Sequence, residues 1–185
     1  MISICIPTHN IPERDFLLNR CLESIRSQSY QDFEIIITDK GLMAANTNRA
    51  IKKAKGDLIK ILYMDDYFAH KHALRDIVRA FKGNWLITGA DNNPYPYYTD
   101  DIETGNNKLG SPSALTIRNG LDMYFDENMS WLLDCDFYKR MFEKYGEPVI
   151  LDGANVNLGV GKHQVTHKMS NEEKLKEHEY LINKK

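Results

Sequence analysis

Two neighbouring acids, Asp65 and Asp66, are the most chemically pointed feature of the 185-residue sequence. Adjacent carboxylates repel each other, so such a pair suits either a solvated turn or a site where a cation screens them. A hard divalent cation, Mn²⁺ or Mg²⁺, takes oxygen ligands and often uses only one or two protein carboxylates plus substrate phosphates. A second acidic pair, Asp134 and Asp136, follows the apolar Trp131-Leu132-Leu133. A carboxylate among such residues has a raised pKa and can act as a general base, although acids in a first helical turn also serve the helix dipole. Asp39 could accept a hydrogen bond from a base or ribose, or simply open the turn at Gly41. Thr8 and Asn10 stand in a similar turn after Pro7. His163 and His167, four apart in a glycine-rich stretch, lack a third His or Cys at zinc-site spacing. Tyr95, Tyr97 and Tyr98 could stack on a sugar or base, or hold their loop against the core.

The elements that position these groups follow from hydrophobic patterning. Residues 2–6 are a short apolar run ended by Pro7, the pattern of a buried strand. Leu18, Cys21, Leu22 and Ile25 recur at helical spacing within residues 13–29. Ile35-Ile36-Ile37 within 33–38 reads as a strand buried on both faces. A helix over 46–55 is stopped by Gly56, and 58–63 is a third strand. Residues 72–82 predict a helix, 85–88 a strand, 114–118 a strand and 132–145 a helix. Strands alternating with helices mean βαβ units and a mostly parallel, Rossmann-like α/β sheet in one domain. Residues 1–89 are expected to form a half of nucleotide-binding type and 90–170 the second half of the same domain. A charged C-terminal helix occupies 171–185, opened by the capping box of Ser170 and Glu173. The polar 90–110 segment is a functional or mobile loop, and 153–167 is ambiguous.

In an open parallel sheet, ligands bind beyond the carboxyl ends of the strands. Pro7-Thr8-His9-Asn10, Asp39-Lys40-Gly41 and Asp65-Asp66 all fall at such ends.

Composition narrows the classes. Hydrophobic residues make up 42% and charged residues 27%, as in ordinary globular chains. With 24 Lys and Arg against 26 Asp and Glu, the formal charge of −2 gives no general field for nucleic acid or an anionic membrane. No run approaches the ~20 apolar residues of a membrane span. Three isolated cysteines, Cys5, Cys21 and Cys135, read as buried thiols and fit a reducing compartment. The start, Met1-Ile2-Ser3, has no basic leader, so the expected location is cytoplasmic.

Taken together the motifs resemble the family 2 glycosyltransferases of GT-A fold. Ile4-Cys5-Ile6-Pro7-Thr8-His9-Asn10 looks like the family's first strand and Pro-Thr-Tyr-Asn turn. Leu22 to Tyr30 is similar to its first helix and Gln-Ser-Tyr turn, and Phe33 to Asp39 to its second strand with a nucleotide-contacting Asp. Asn48-Arg49-Ala50-Ile51 and Ala54-Lys55-Gly56-Asp57 resemble its Asn-x-Gly-Ile and Ala-x-Gly-Glu pair. Tyr63-Met64-Asp65-Asp66 sits where its Asp-x-Asp-Asp motif stands, and Leu132 to Phe137 where its acceptor-side acids stand. Six segments in order, over residues 2–145, make the likeness specific. Two departures matter: Lys40 replaces the second acid of Asp-Asp-Gly-Ser, and Tyr63 replaces the first acid of the metal motif.

The resemblance implies an inverting transfer from a UDP-sugar, or another nucleotide-diphosphate sugar, to a hydroxyl-bearing glycan or small-molecule acceptor. It implies nucleotide contacts from Pro7, Thr8, Asn10, Asp39, Asn48 and Asp65, and a divalent cation on Asp66 and Asp65. Asp134 is the implied general base; Asp136 and Ser111 lie on the sugar and acceptor side, and residues 90–170 are implied to be the acceptor/sugar-binding half. His163 and His167 are candidates for a lid. A carboxylate facing an imide N–H favours uracil or thymine over cytosine. A nucleotidyltransferase would want a glycine-rich phosphate loop where Pro7-Thr8-His9-Asn10 stands; a sugar-nucleotide binder without turnover is the other alternative, motivated by Tyr63 and Lys40.

Overall fold

Ile2–Pro7 is buried along its whole length and forms strand β1, flanked on both sides by other strands. Its side chains alternate between two cores: Cys5 packs on one face of the sheet, and Ile2, Ile4 and Ile6 on the other. The computed structural model describes residues 1–161 and 164–184. After β1 come α1 (Arg14–Arg26), β2 (Phe33–Thr38), α2 (Met43–Lys53), β3 (Leu58–Ile61) and the short β4 (Tyr67–Phe68). Next are α3 (Ala73–Ala80), β5 (Trp85–Ala90), β6 (Leu115–Arg118), α4 (Leu133–Tyr145) and β7 (Val149–Asn157). A single turn, α5 (Val165–Lys168), and α6 (Asn171–Asn183) close the described chain.

The seven strands make one sheet in the order β2-β1-β3-β6-β5-β7-β4. β1 pairs in parallel with β2 and β3, and β5 with β7. β6 runs antiparallel to β3 and β5, and β4 antiparallel to β7, so five strands share one direction. The sheet is continuous through both expected halves of the chain. Helices α2 and α4 cover one face, with Ala50, Ile51, Phe137 and Met141 against Ile59, Trp85 and Ile117. Helices α1 and α3 cover the other, with Cys21, Ile25, Leu74 and Ile77 against Ile4 and Leu86. This is the three-layer α/β architecture expected from alternating patterns.

All three cysteines are free and buried. The predicted capping box is present: the Ser170 hydroxyl accepts from the Glu173 N–H, and the Glu173 carboxylate accepts from the Ser170 N–H. The 153–167 stretch is where patterning fell short, because its first part belongs to β7. That strand carries Asp152 and a left-handed Gly153 at its centre, and its register against β5 shifts between Thr88 and Ala90. A bulge breaks the period-two signal on which recognition depends. Among the described residues, no helix is long and apolar enough to cross a membrane.

Candidate functional site

The turns after β1 and β3, the start of α2 and the segment entering α4 border one cleft of about 490 Å³. Asn10, Asp65, Asp66, Ser111 and Asp134 all line it, so the two acidic groups far apart in sequence share a single space. Residues 158 and 164–168 close a further side with Leu158, Gln164, Val165, Thr166 and Lys168.

The acid pair is held by backbone and by polar partners. Asp66 is 4% exposed, and its Oδ1 accepts the Gly159 N–H at 2.8 Å. Burial pushes its carboxyl well above the usual range, the neighbouring Asp65 pushes further, and a hydrogen bond from Ser113 draws it back. Beneath it, the fully buried Lys60 donates to the carbonyls of Ser113 and Leu115, and burial drives its ammonium down. On the outer side, the Arg20 guanidinium lies over the Tyr67 ring, 4.4 Å from its centroid, and donates to the Asp65 carbonyl at 2.5 Å. Gly159 fits here because it has no side chain: a Cβ there would stand 2.2 Å from the Asp65 carbonyl oxygen. Gln164 Nε2 donates to the Gly159 carbonyl at 2.9 Å, tying the α5 segment to the same point.

Asp134 lies in the first turn of α4, half-buried. Its Oδ1 accepts the Cys135 N–H at 2.9 Å and its Oδ2 accepts Asn107 Nδ2 at 2.8 Å. Burial raises its carboxyl to about 6, with those two donors opposing the rise. The group is therefore ionised near neutrality and close to the pH at which it can take up a proton.

Several expected site residues are placed elsewhere. Thr8 is buried, and its hydroxyl donates to the Thr38 carbonyl at 3.1 Å, joining the ends of β1 and β2 beside Pro7. Asn48 turns away from the cleft: its amide donates to the Phe125 carbonyl and to Glu127, and its oxygen accepts the Phe125 N–H. These bonds brace the 125–127 loop, and Asn48 does not line the cleft. Asp136 is likewise committed, to Arg140 at 2.5 Å and Lys184 at 2.6 Å; a helix puts residues two apart on different faces, so it cannot follow Asp134 into the cleft. Asp39 is exposed just past β2 and does not line the cleft. His167 is exposed on α5, beside residues that do line it, and His163 lies outside the described residues.

Patterning also missed contributors. Asn107 and Ser113 support Asp134 and Asp66, and Glu177 on α6 accepts the backbone N–H groups of Ser130, Trp131 and Leu132 just before α4. The one local signal among them was Asn107-Lys108-Leu109-Gly110, a side chain and a glycine suited to a turn.

Among the described residues, no group of three or more His, Cys, Asp or Glu gathers to hold a metal ion. The two carboxylates nevertheless fit a hard cation that completes its shell with substrate phosphates, because a buried Asp66 repelled by the neighbouring, half-buried Asp65 at a cleft wall is stabilised by divalent charge.

The fold is a layered α/β architecture of GT-A type. The family model for glycosyl transferase family 2 matches residues 3–142, and the chain belongs to that family. That family is one of glycosyltransferases, which disfavours the nucleotidyltransferase alternative. No curated protein matches the chain. Among solved structures, S. aureus TarS 1–349 superposes with a TM-score of 0.69 at 18% identity, covering 85% of this chain and 60% of that one. The same protein in complex with UDP-GlcNAc gives 0.72 at 16% identity, covering 91% and 61%. The mannosyltransferase PcManGT from Pyrobaculum calidifontis, in complex with GDP-Man and Mn²⁺, gives 0.62 at 13% identity, covering 88% and 57%. At these identities the likeness is one of fold, and the chain spans about six-tenths of the length of those structures.

Proposed function

We propose that the chain transfers a sugar from a nucleotide-diphosphate donor, a UDP-sugar, to a hydroxyl acceptor with inversion at the anomeric carbon. The observation that carries this reading is the shared cleft: a cation-suited acid pair and a half-buried, separately held Asp134 border one space. Asp66 and Asp65 hold a divalent cation, Mn²⁺ or Mg²⁺, which when bound supplies positive charge against the leaving diphosphate. Asn10, at the end of β1, and Asp39, past β2, receive the nucleoside. Lys168, Thr166 and Gln164 bring a cation and hydrogen-bonding groups to the same cleft from the α5 side.

Asp134 removes the proton from the acceptor hydroxyl. The acceptor oxygen bonds to the anomeric carbon while the bond from that carbon to the diphosphate oxygen breaks. The electron pair leaves with the diphosphate, and the proton rests on Asp134. One displacement with one base inverts the configuration, since no enzyme carboxylate forms a covalent intermediate. Ser111, on the cleft wall, lies on the acceptor side.

The test is UDP release from a panel of UDP-sugars, UDP-GlcNAc among them, with Mn²⁺. Release is expected, and it is expected to be lost with a chelator and in Asp66→Ala. Release indifferent to both would contradict the assignment of the acid pair.

A further inference from the structure

The polar groups behind Asp134 are set out with more constraint than a general base alone requires. Asn107 uses all four of its side-chain hydrogen-bonding positions. Its Oδ1 accepts the Leu109 N–H at 2.8 Å and the Gly110 N–H at 3.1 Å, while its Nδ2 donates to the Gly110 carbonyl at 2.9 Å and to Asp134 Oδ2 at 2.8 Å. Turning the amide over would set N–H against two backbone N–H groups, so the turn dictates which end faces Asp134. Gly110, at φ +98°, gives the backbone the left-handed step that closes this turn. The Ser111 carbonyl that follows is held in turn by the Tyr138 hydroxyl at 3.0 Å, from the helix that carries Asp134.

Resting on the reading of Asp134 as the base, we infer that Asn107 is its positioning residue: the 107–110 turn fixes the amide so that an N–H, and never the oxygen, is presented to Asp134 Oδ2. Two consequences follow. One lone pair of each Asp134 oxygen is tied down, by Asn107 and by the Cys135 N–H, which fixes the rotation of the carboxylate. The donated N–H also favours the ionised form, opposing burial, so the base stays deprotonated at neutral pH. The other ionisable groups within electrostatic reach of Asp134 are Tyr63 from the turn after β3 and Cys135 and Tyr138 from α4. Burial pushes all three above their ordinary ranges, so they stay neutral in this pH interval. His9, Asp65, Asp66 and Lys168 line the same cleft, and changing Asn107 leaves each of them in place.

Asn107→Asp separates positioning from folding. An aspartate keeps the acceptor oxygen that the Leu109 and Gly110 N–H groups need, gives up the single donation to the Gly110 carbonyl, and replaces the donor facing Asp134 with a second acid. The acid limb of kcat against pH is expected to move up by about one unit or more, the usual effect of a like charge at contact distance. The KM for the UDP-sugar is expected to stay within about twofold, because the acid pair is untouched. In the wild-type protein, the Asn107 side-chain amide protons are expected to shift in NMR with the same midpoint as kcat. An Asn107→Asp enzyme with an unmoved acid limb, or wild-type amide protons indifferent to pH across that limb, would overturn the inference. Asp134→Asn tells the two readings apart: full activity in that variant removes the base itself, whereas an inactive Asp134→Asn beside an unmoved Asn107→Asp removes only the positioning role.

Discussion

Among single residues, the carboxylate in the first turn of α4 matters most to the proposed reaction. Half-burial raises Asp134 to about 6, and in the proposed role of general base it must be ionised to take the acceptor's proton. Below pH 6 the protonated, inactive form gains tenfold per unit, so kcat is expected to fall with that slope on the acid side and to be level from about pH 7 to 8. Asp134→Asn is expected to lower kcat by a factor on the order of 10²–10⁴ with donor affinity unchanged; an acid limb that survives in this variant would assign it to another group. Much of this was legible in the sequence, because an acid directly after Trp131-Leu132-Leu133 has few ways to remain solvated. Asp136, two positions on, was not: its carboxylate could have served either the cleft or an ion pair. Only the packing of α6, which brings Lys184 beside Arg140, decides for the ion pair. The partners of Asn48 were no more legible, since those at 125 and 127 are distant in sequence.

At the scale of elements, helix α6 braces the base without reaching the cleft. Glu177, 9% exposed, accepts the N–H groups of Ser130, Trp131 and Leu132, the last two at 2.6 Å, and so ties down the backbone that leads into Asp134. Lys184, just beyond the helix, pairs with Asp126 and Asp136 and holds the same stretch from its other end. Glu177→Ala leaves three N–H groups facing an empty socket and is expected to cost about 2–3 kcal/mol. That corresponds to roughly 5–10 °C in Tm for a domain of this size. Calorimetry checks the loss, and kcat is expected to drop with donor affinity kept, since the acid pair hangs on other elements. A melting temperature equal to wild type would show that α6 docks by other means. The helix itself was readable from its capping box, and its partner was not, because a carboxylate at 177 carries no sign of the chain turn it will cap. The strands followed the opposite rule: the apolar run of β1 announced a buried strand, and that of β2 a strand. β2, though, lies at the sheet edge with Ile37 exposed and so is not buried on both faces as expected. β7, with its bulge, did not announce itself.

For the whole molecule, the order of strands decides the chemistry. The sheet sets the ends of β1 and β3 side by side, and the antiparallel β6 between β3 and β5 delivers the 107–113 segment to the same edge. Ser113 thereby touches Asp66 while Asn107, six residues earlier, touches Asp134. Local patterning supplied the parallel layer and the two acidic groups; the cleft that joins them is a product of topology, which no single segment encodes. In the proposed reaction the diphosphate of a sugar donor sits in this cleft, between the acid pair and Asp134. Crystals soaked with UDP and Mn²⁺, with the metal located by its anomalous signal, address this directly. The expected map shows one Mn²⁺ bridging the Asp66–Asp65 pair and the diphosphate, with Asp134 facing the open end of the cleft. UDP lodged outside this cleft, or a metal peak touching neither acid, would contradict it.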